Sequence, residues 1–385
     1  MTAIRHIVYE CVPGAYAGGV QKMVFELASA QRRLGADVEI WTPDAIRAGS
    51  TEDFDGLPIR YFMPSRALGL AQSSRLERAI AELPPASVLH AHSTFHPLNL
   101  QIGRAARRCG HRAFYHPHGA LSPLWLRGWG WKALKKRLYI AAFERRNLNA
   151  AAGTFALTED ERLDLVELGV SAPTYIVPNG ISPIPAAEKS AVREFRRKHA
   201  IPDAAPVLLF VGRIVPLKRI EDIAGVLSRL RLSHPDLHLV IAGDLGTELA
   251  YTARLRDLCT VLGIADRVHW VGFLNERAKP PAYAAAQVFV HASESEGMAI
   301  AILEAMAAGV PVVATRRCHM SAAAEAGALK QCEQGESALA AAIAEVLDAP
   351  ADRGARGQAY VHRVHAWEAI AAEKLKIYAE GASRS

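Results

Sequence analysis

Two glutamates eight residues apart, Glu296 and Glu304, follow an apolar run at 288–291 in a segment reading Ser295-Glu296-Gly297-Met298-Ala299-Ile300. A strand, a loop and a helix start are expected there, with Glu296 in the loop and Glu304 about two turns into the helix. The backbone N–H groups of Gly297, Met298 and Ala299 would then face outward at a helix N-terminus, where phosphate or sugar oxygens bind readily. On spacing alone, a capped helix with an exposed glutamate is the more economical reading. A second group follows the apolar run 207–211. Arg213 and Lys218, five residues apart in a loop containing Pro216, could clamp a diphosphate and neutralise the charge on a departing nucleotide. A solvated basic turn has the same pattern. A third loop, with Gly14, Gly18 and Gly19, fits neither the dinucleotide fingerprint nor the P-loop, although the paired Gly18 and Gly19 let a backbone approach an anion. A plain tight turn explains it equally well.

Histidines gather at His90, His92, His96, His111, His116 and His118. Because no Asp or Glu lies between Leu83 and Phe143, a mixed histidine and carboxylate site needs ligands from elsewhere, and no metal is expected. Asp53-Phe54-Asp55 has carboxylate spacing suited to a metal-bound sugar nucleotide, but Gly56 makes the segment read as a turn.

The elements that must carry these residues alternate. Strand-like runs at 6–11, 38–42, 88–92, 113–116, 153–157 and 175–177 are separated by helix-like segments, the first at 21–34. After the Pro- and Ala-rich stretch 181–188 the pattern restarts, with strands at 207–211, 237–242, 268–271, 288–291 and 312–314 and helices at 219–232 and 300–308. The expected fold is α/β with two doubly wound, Rossmann-like domains, 1–182 and 183–365, and a ligand cleft where the strand ends face each other. A final amphipathic helix is expected at 367–379.

The 385 residues are half hydrophobic and 22% charged, which supports two packed cores and argues against disorder. No apolar run reaches the length of a membrane span, and the N-terminus lacks the features of an export signal, so a cytoplasmic protein is expected. Five scattered cysteines show no C-x-x-C pair. The net charge of +6 is confined to one window: residues 101–150 hold 11 basic residues and one acid, Glu144. There Trp125, Trp129 and Trp131 interleave with Arg127, Lys132, Lys135, Lys136 and Arg137. Such a segment suits docking to the anionic cytoplasmic face of a membrane; a buried helix with a solvated basic side is the alternative. No nucleic-acid-binding motif accompanies the charge.

In order, these motifs resemble those of the retaining glycosyltransferase family 4, of the bacterial surface-polysaccharide type. The resemblance runs from Gly18-Gly19 through His116-Pro117-His118-Gly119 and Val177-Pro178-Asn179-Gly180, then Gly212-Arg213 and Lys218, to Glu296, Glu304 and Gly309-Val310-Pro311. It implies a GT-B fold, with an N-terminal acceptor domain, a C-terminal nucleotide-sugar domain, and the last helix (366–381) packed back on the first domain. It also implies that Arg213 and Lys218 bind the donor diphosphate and Glu304 the ribose, with Glu296 and His118 beside the transferred sugar. Retention and metal independence follow from the resemblance alone, as does a saccharide acceptor, expected here to be linked to a polyprenyl diphosphate. Two departures stand out: Met298-Ala299 replaces the usual Phe-Gly, and the loop 316–322 lacks the usual Gly-Gly or Pro-Glu pair. A non-catalytic nucleotide-sugar-binding partner of a membrane assembly, with these departures marking lost activity, is the alternative function. A histidine-dependent metallohydrolase ranks last.

Overall fold

A computed structural model describes residues 2–9, 11, 19–67, 70–122, 131–348 and 352–380. The chain divides into two compact units, Met1–Gly180 with Ala366–Ser385, and Ile181–His365. Both are parallel-sheet α/β units of Rossmann type.

The second unit has six parallel strands among the described residues, in spatial order 268–272, 238–242, 207–211, 288–291, 312–315 and 330–332. The first strand in sequence is therefore central. Successive connections run to one side and then, after Val288–His291, to the other, so the order reverses between Val207–Val211 and Val288–His291. Loops leaving these two strands diverge at their carboxyl ends and leave a crevice, the usual ligand position in an open parallel sheet. The strand Val207–Val211 is apolar at every position because both sheet faces are covered. Val207 and Leu209 enter one core with Ile302 and Met306, while Leu208 and Phe210 enter the other with Ile223 and Leu339.

In the first unit an eight-stranded sheet runs in spatial order 174–176, 153–156, 112–116, 88–92, 3–7, 37–43, 57–62 and 51–54 among the described residues. Only the last pair is antiparallel. The order reverses between Ala3–Ile7 and Val88–His92. The opening strand expected at 6–11 thus lies at Ala3–Ile7. Arg5 disguises it: the guanidinium is buried beside Asp37 and Glu39 and lies 5.8 Å from the Trp41 ring, so a charged residue fits a central strand. Asp53-Phe54-Asp55 forms a hairpin turn, with Gly56 N–H donating to Asp53 Oδ1 at 2.8 Å and Asp55 and Gly56 at φ 51° and 79°.

The last helix, Trp367–Glu380, belongs to the first unit and packs against the helix Gly19–Arg33. Trp367 donates its indole N–H to Glu26, and Arg33 pairs with Glu368 at 3.0 Å. Gly180 makes room for the Trp367 ring, since a Cβ there would lie 2.3 Å from ring carbon Cδ2. No described helix is long and apolar enough to cross a membrane.

Candidate active site

The carboxyl ends of Val207–Val211 and Val288–His291 bring together Lys218 and Glu296, 78 residues apart. Lys218 closes a short 3-10 turn, Pro216–Lys218, and its buried ammonium donates to Glu296 Oε1. The same oxygen accepts from Ser293 Oγ at 2.6 Å and lies 3.0 Å from His291 Nε2. Burial acts to raise the Glu296 pKa, but the Lys218 charge and the His291 hydrogen bond outweigh it and hold the carboxyl well below the usual range. Burial lowers His291, the Glu296 contact opposing it and Lys218 adding to it. One carboxylate oxygen thus carries three partners, and its orientation is fixed before any ligand arrives.

The loop around Glu296 is fastened from behind. Its backbone N–H donates to Arg317 O at 3.2 Å, Glu294 N–H donates to Leu217 O at 2.9 Å, and the Ser293 carbonyl accepts from Thr315 Oγ1 at 3.2 Å and Gln334 Nε2 at 2.9 Å. The loop 316–322 therefore supports the glutamate loop through a backbone carbonyl. Ala299, in place of glycine, has φ −71° and ψ 110°, an ordinary extended conformation, and its methyl group is buried in the core with Ile302 and Leu303. Its Cβ introduces no backbone strain.

Glu304 projects from the helix Ile300–Ala307 and is almost fully buried. Lys279 Nζ donates to Oε1 at 2.8 Å and Tyr283 OH to Oε2 at 2.9 Å. Burial, with the Glu304 charge beside it, drives the Tyr283 phenol well above its usual range, so it remains a donor. Arg213 is exposed on the loop leaving Val207–Val211, without a side-chain partner among the described residues. Close backbone packing sets that loop, because a Cβ on Gly243 would lie 2.1 Å from Gly212 O. Gly297 and Met298 lie between Glu296 and the helix start. Sequence reasoning missed four partners. His291, the last residue of its strand, was detectable by position; Ser293, Lys279 and Tyr283 are brought in by the fold.

In the first unit, His118 has φ 56° and stacks on His116 with ring centroids 3.7 Å apart. Parallel register sets His6 opposite His90 and His92 opposite His116, which gathers five imidazoles at the sheet's carboxyl edge. His6 completes this group and was not singled out in the sequence; His96 instead stacks on Tyr9, and His111 contacts Ile80 O at 2.9 Å. Burial lowers the pKa of all five, and the nearby Lys374 charge adds to the effect; His118 falls to about 3.

Gly18, Trp125 and Trp129 lie outside the described residues, while Gly19 opens the helix Gly19–Arg33. Lys132 lies in the helix Trp131–Tyr139. That helix exposes Trp131, Leu134 and Leu138, spaced three and four residues apart, beside exposed Lys135 and Arg137 and half-buried Lys136. The apolar face is therefore exposed, contrary to the buried-helix alternative.

Two parallel-sheet, Rossmann-like units in one chain are the architecture of the GT-B glycosyltransferases. The family description "Glycosyl transferase 4-like domain" matches residues 18–180, and "Glycosyl transferases group 1" matches residues 191–360. Together these cover most of both units, and the chain belongs to the family-4-like glycosyltransferases. It is 28% identical to the D-inositol 3-phosphate glycosyltransferase of Kineococcus radiotolerans over 94% of this chain and 90% of that protein. It is 37% identical to the GDP-mannose-dependent alpha-mannosyltransferase of Mycolicibacterium smegmatis over 41% of this chain and 39% of that protein. Among solved structures it is similar to Anabaena HepE in complex with UDP and glucose, with TM-score 0.79, 19% identity and coverage of 99% and 100% of the two chains.

Proposed function

We propose that this glycosyltransferase is a retaining hexosyltransferase. It takes a hexose from GDP-mannose or a UDP-sugar and adds it to a saccharide acceptor in bacterial surface polysaccharide biosynthesis. The observation that carries the reading is the Lys218–Glu296 pair at the strand switch point of the second unit, with Arg213 on the same loop as Lys218. Arg213 offers an unengaged guanidinium to the donor diphosphate. Lys218 has three N–H donors and gives one to Glu296, so the others can reach phosphate oxygens as leaving-group charge develops. Glu304, oriented by Lys279 and Tyr283, accepts the ribose hydroxyls. Glu296 and His118 orient the transferred sugar and support its oxocarbenium-like charge. The two cations do the work that a metal would do at the diphosphate, so this chemistry requires no metal ion or other cofactor.

Names among the similar proteins, GDP-mannose for one and UDP for another, support a nucleotide-sugar donor without choosing its base. The acceptor in this reading is linked to a polyprenyl diphosphate and is met at the cytoplasmic face of a membrane. The exposed Trp131, Leu134 and Leu138 beside Lys135, Lys136 and Arg137 support that docking. An ordered, ionised Glu296 favours catalysis over the non-catalytic alternative.

The test is a panel of UDP-, GDP- and ADP-sugars with EDTA present, following donor binding by thermal shift and slow nucleotide release. One donor should stabilise the protein selectively and be turned over, and the product should keep the donor's anomeric configuration. Binding without release in the presence of a competent acceptor would return the non-catalytic reading; loss of turnover on chelation would remove metal independence.

A further inference from the structure

His116 is fully buried, and neither ring nitrogen has a hydrogen-bond partner among the described residues. A buried imidazole with both nitrogens unsatisfied is destabilising, a cost that a phenylalanine at the same place would avoid. Its surroundings suggest what the nitrogens are for. Ring nitrogens of His92, His116 and His118, one from each residue, all lie within 4.8 Å of one another. His92 Nδ1 and His118 Nε2 are 3.0 Å apart. We propose that these three histidines bind a divalent cation of the zinc class.

The neighbouring hydrogen bonds define the tautomers that such a site needs. Gln31 Oε1 lies 2.7 Å from His6 Nε2 and, as a carbonyl oxygen, can only accept, so His6 carries its proton there. His6 Nδ1 is then an acceptor, and His92 Nε2, at 2.9 Å, donates to it. The His92 proton is thereby placed on Nε2, and the Nδ1 lone pair is directed toward His118 and His116. A carbonyl holding one histidine, which in turn holds a metal-ligating histidine, is the kind of outer support that orients ligands in metal sites. Without a cation, the His92–His118 contact is an ordinary hydrogen bond with the proton on His118 Nε2. With a cation, His118 takes its other neutral tautomer, the ring giving up the Nε2 proton and gaining one at Nδ1 by exchange with solvent, and His118 Nε2 becomes a ligand.

Imidazole nitrogens suit zinc, copper, nickel or cobalt rather than magnesium or calcium, which prefer oxygen. The nearby carboxylate of Glu161 accepts from Gly119 N–H at 2.6 Å and Leu157 N–H at 2.7 Å, so the three nitrogens form the ligand set, with positions left for water. Binding would draw His118 into coordination. On the proposed role of His118 beside the sugar, zinc inhibits transfer; this consequence rests on that reading, whereas the binding itself does not.

The experiment titrates chelator-stripped full-length protein with zinc by calorimetry, and with cobalt by its visible absorption, without donor or acceptor. One equivalent should bind, and the melting temperature should rise with zinc. His116→Phe should abolish binding while melting like the metal-free parent. Gln31→Leu, which removes only the outer support, should weaken binding by about 10–100-fold. The variant His238→Ala, at the separate His238–His269 pair of the second unit, should bind like the parent. Absence of a bound equivalent, or affinity unchanged in both His116→Phe and Gln31→Leu, overturns the site. Should His116→Phe fail to fold, the Gln31→Leu affinity decides. Either outcome leaves the donor assay to judge the transferase reading separately.

Discussion

His291 Nε2 lies 3.0 Å from Glu296 Oε1, the oxygen that also receives Lys218 and Ser293. Three donors on one carboxylate oxygen keep Glu296 ionised despite its burial, and they fix its orientation before any ligand arrives.

Replacing Lys218 by alanine removes the proposed diphosphate ligand and leaves Glu296 buried without its cation. We predict a fall in kcat of about 10²–10³-fold, the usual effect of losing one donor to developing negative charge. Loss of one partner from a buried ion pair should also cost on the order of 3–5 kcal/mol in stability. Urea unfolding and steady-state rates measure the two effects. A parent-like rate would leave Lys218 with a structural role only.

The lowered Glu296 pKa gives stability a definite pH dependence. Glu296 binds fewer protons when folded than when unfolded, so its contribution is fully present above the ordinary carboxylate range, about pH 4.3. That contribution disappears as pH falls below this range through the folded-state value. Glu296→Gln should flatten the acid limb of an unfolding-against-pH curve, and an unchanged limb would contradict the assignment.

Glu304→Ala should weaken nucleotide binding about tenfold or more, and Glu304→Gln should weaken it less, because the amide retains one acceptor for Tyr283 or ribose. Calorimetric titration with the free nucleotide separates this effect from catalysis. Equal affinity in parent and alanine variant would remove the ribose role.

Serine in place of Lys135, Lys136 and Arg137 should reduce binding to anionic vesicles by roughly 10²-fold, at about 1 kcal/mol per charge. Serine at Leu134 and Leu138 should reduce it further, since both side chains are exposed. Co-sedimentation with vesicles of mixed zwitterionic and anionic lipid reads both effects, and undiminished binding would discard the docking surface.

Gly180→Ala tests the seating of the last helix. The added methyl would overlap the Trp367 ring, and a shift of either element should cost about 1–3 kcal/mol. A melting temperature equal to the parent's would show that the ring moves freely.

The strands 88–92, 207–211 and 288–291 were readable residue for residue, because each is built from Val, Leu, Phe and Ala with at most histidine among them, and is bounded by loop residues. The loops bearing Arg213, Lys218 and Glu296 were readable for the same reason: loops after buried parallel strands are where ligands bind. Arg5 hid the true first strand, since a charge in a central strand is acceptable only when Asp37, Glu39 and Trp41 are folded around it.

Residue types and local period thus determined by themselves the two alternating α/β halves, the basic window and the placement of Glu296 and Glu304 at a strand-to-helix junction. Tertiary structure alone decided the partners: His291 and Lys218 on Glu296, Lys279 and Tyr283 on Glu304, and His6 beside His90 and His92. The reason is physical. Periodicity reports which face of an element is buried, whereas a side chain's partner across a parallel sheet depends on strand order and register, fixed only when distant strands pair.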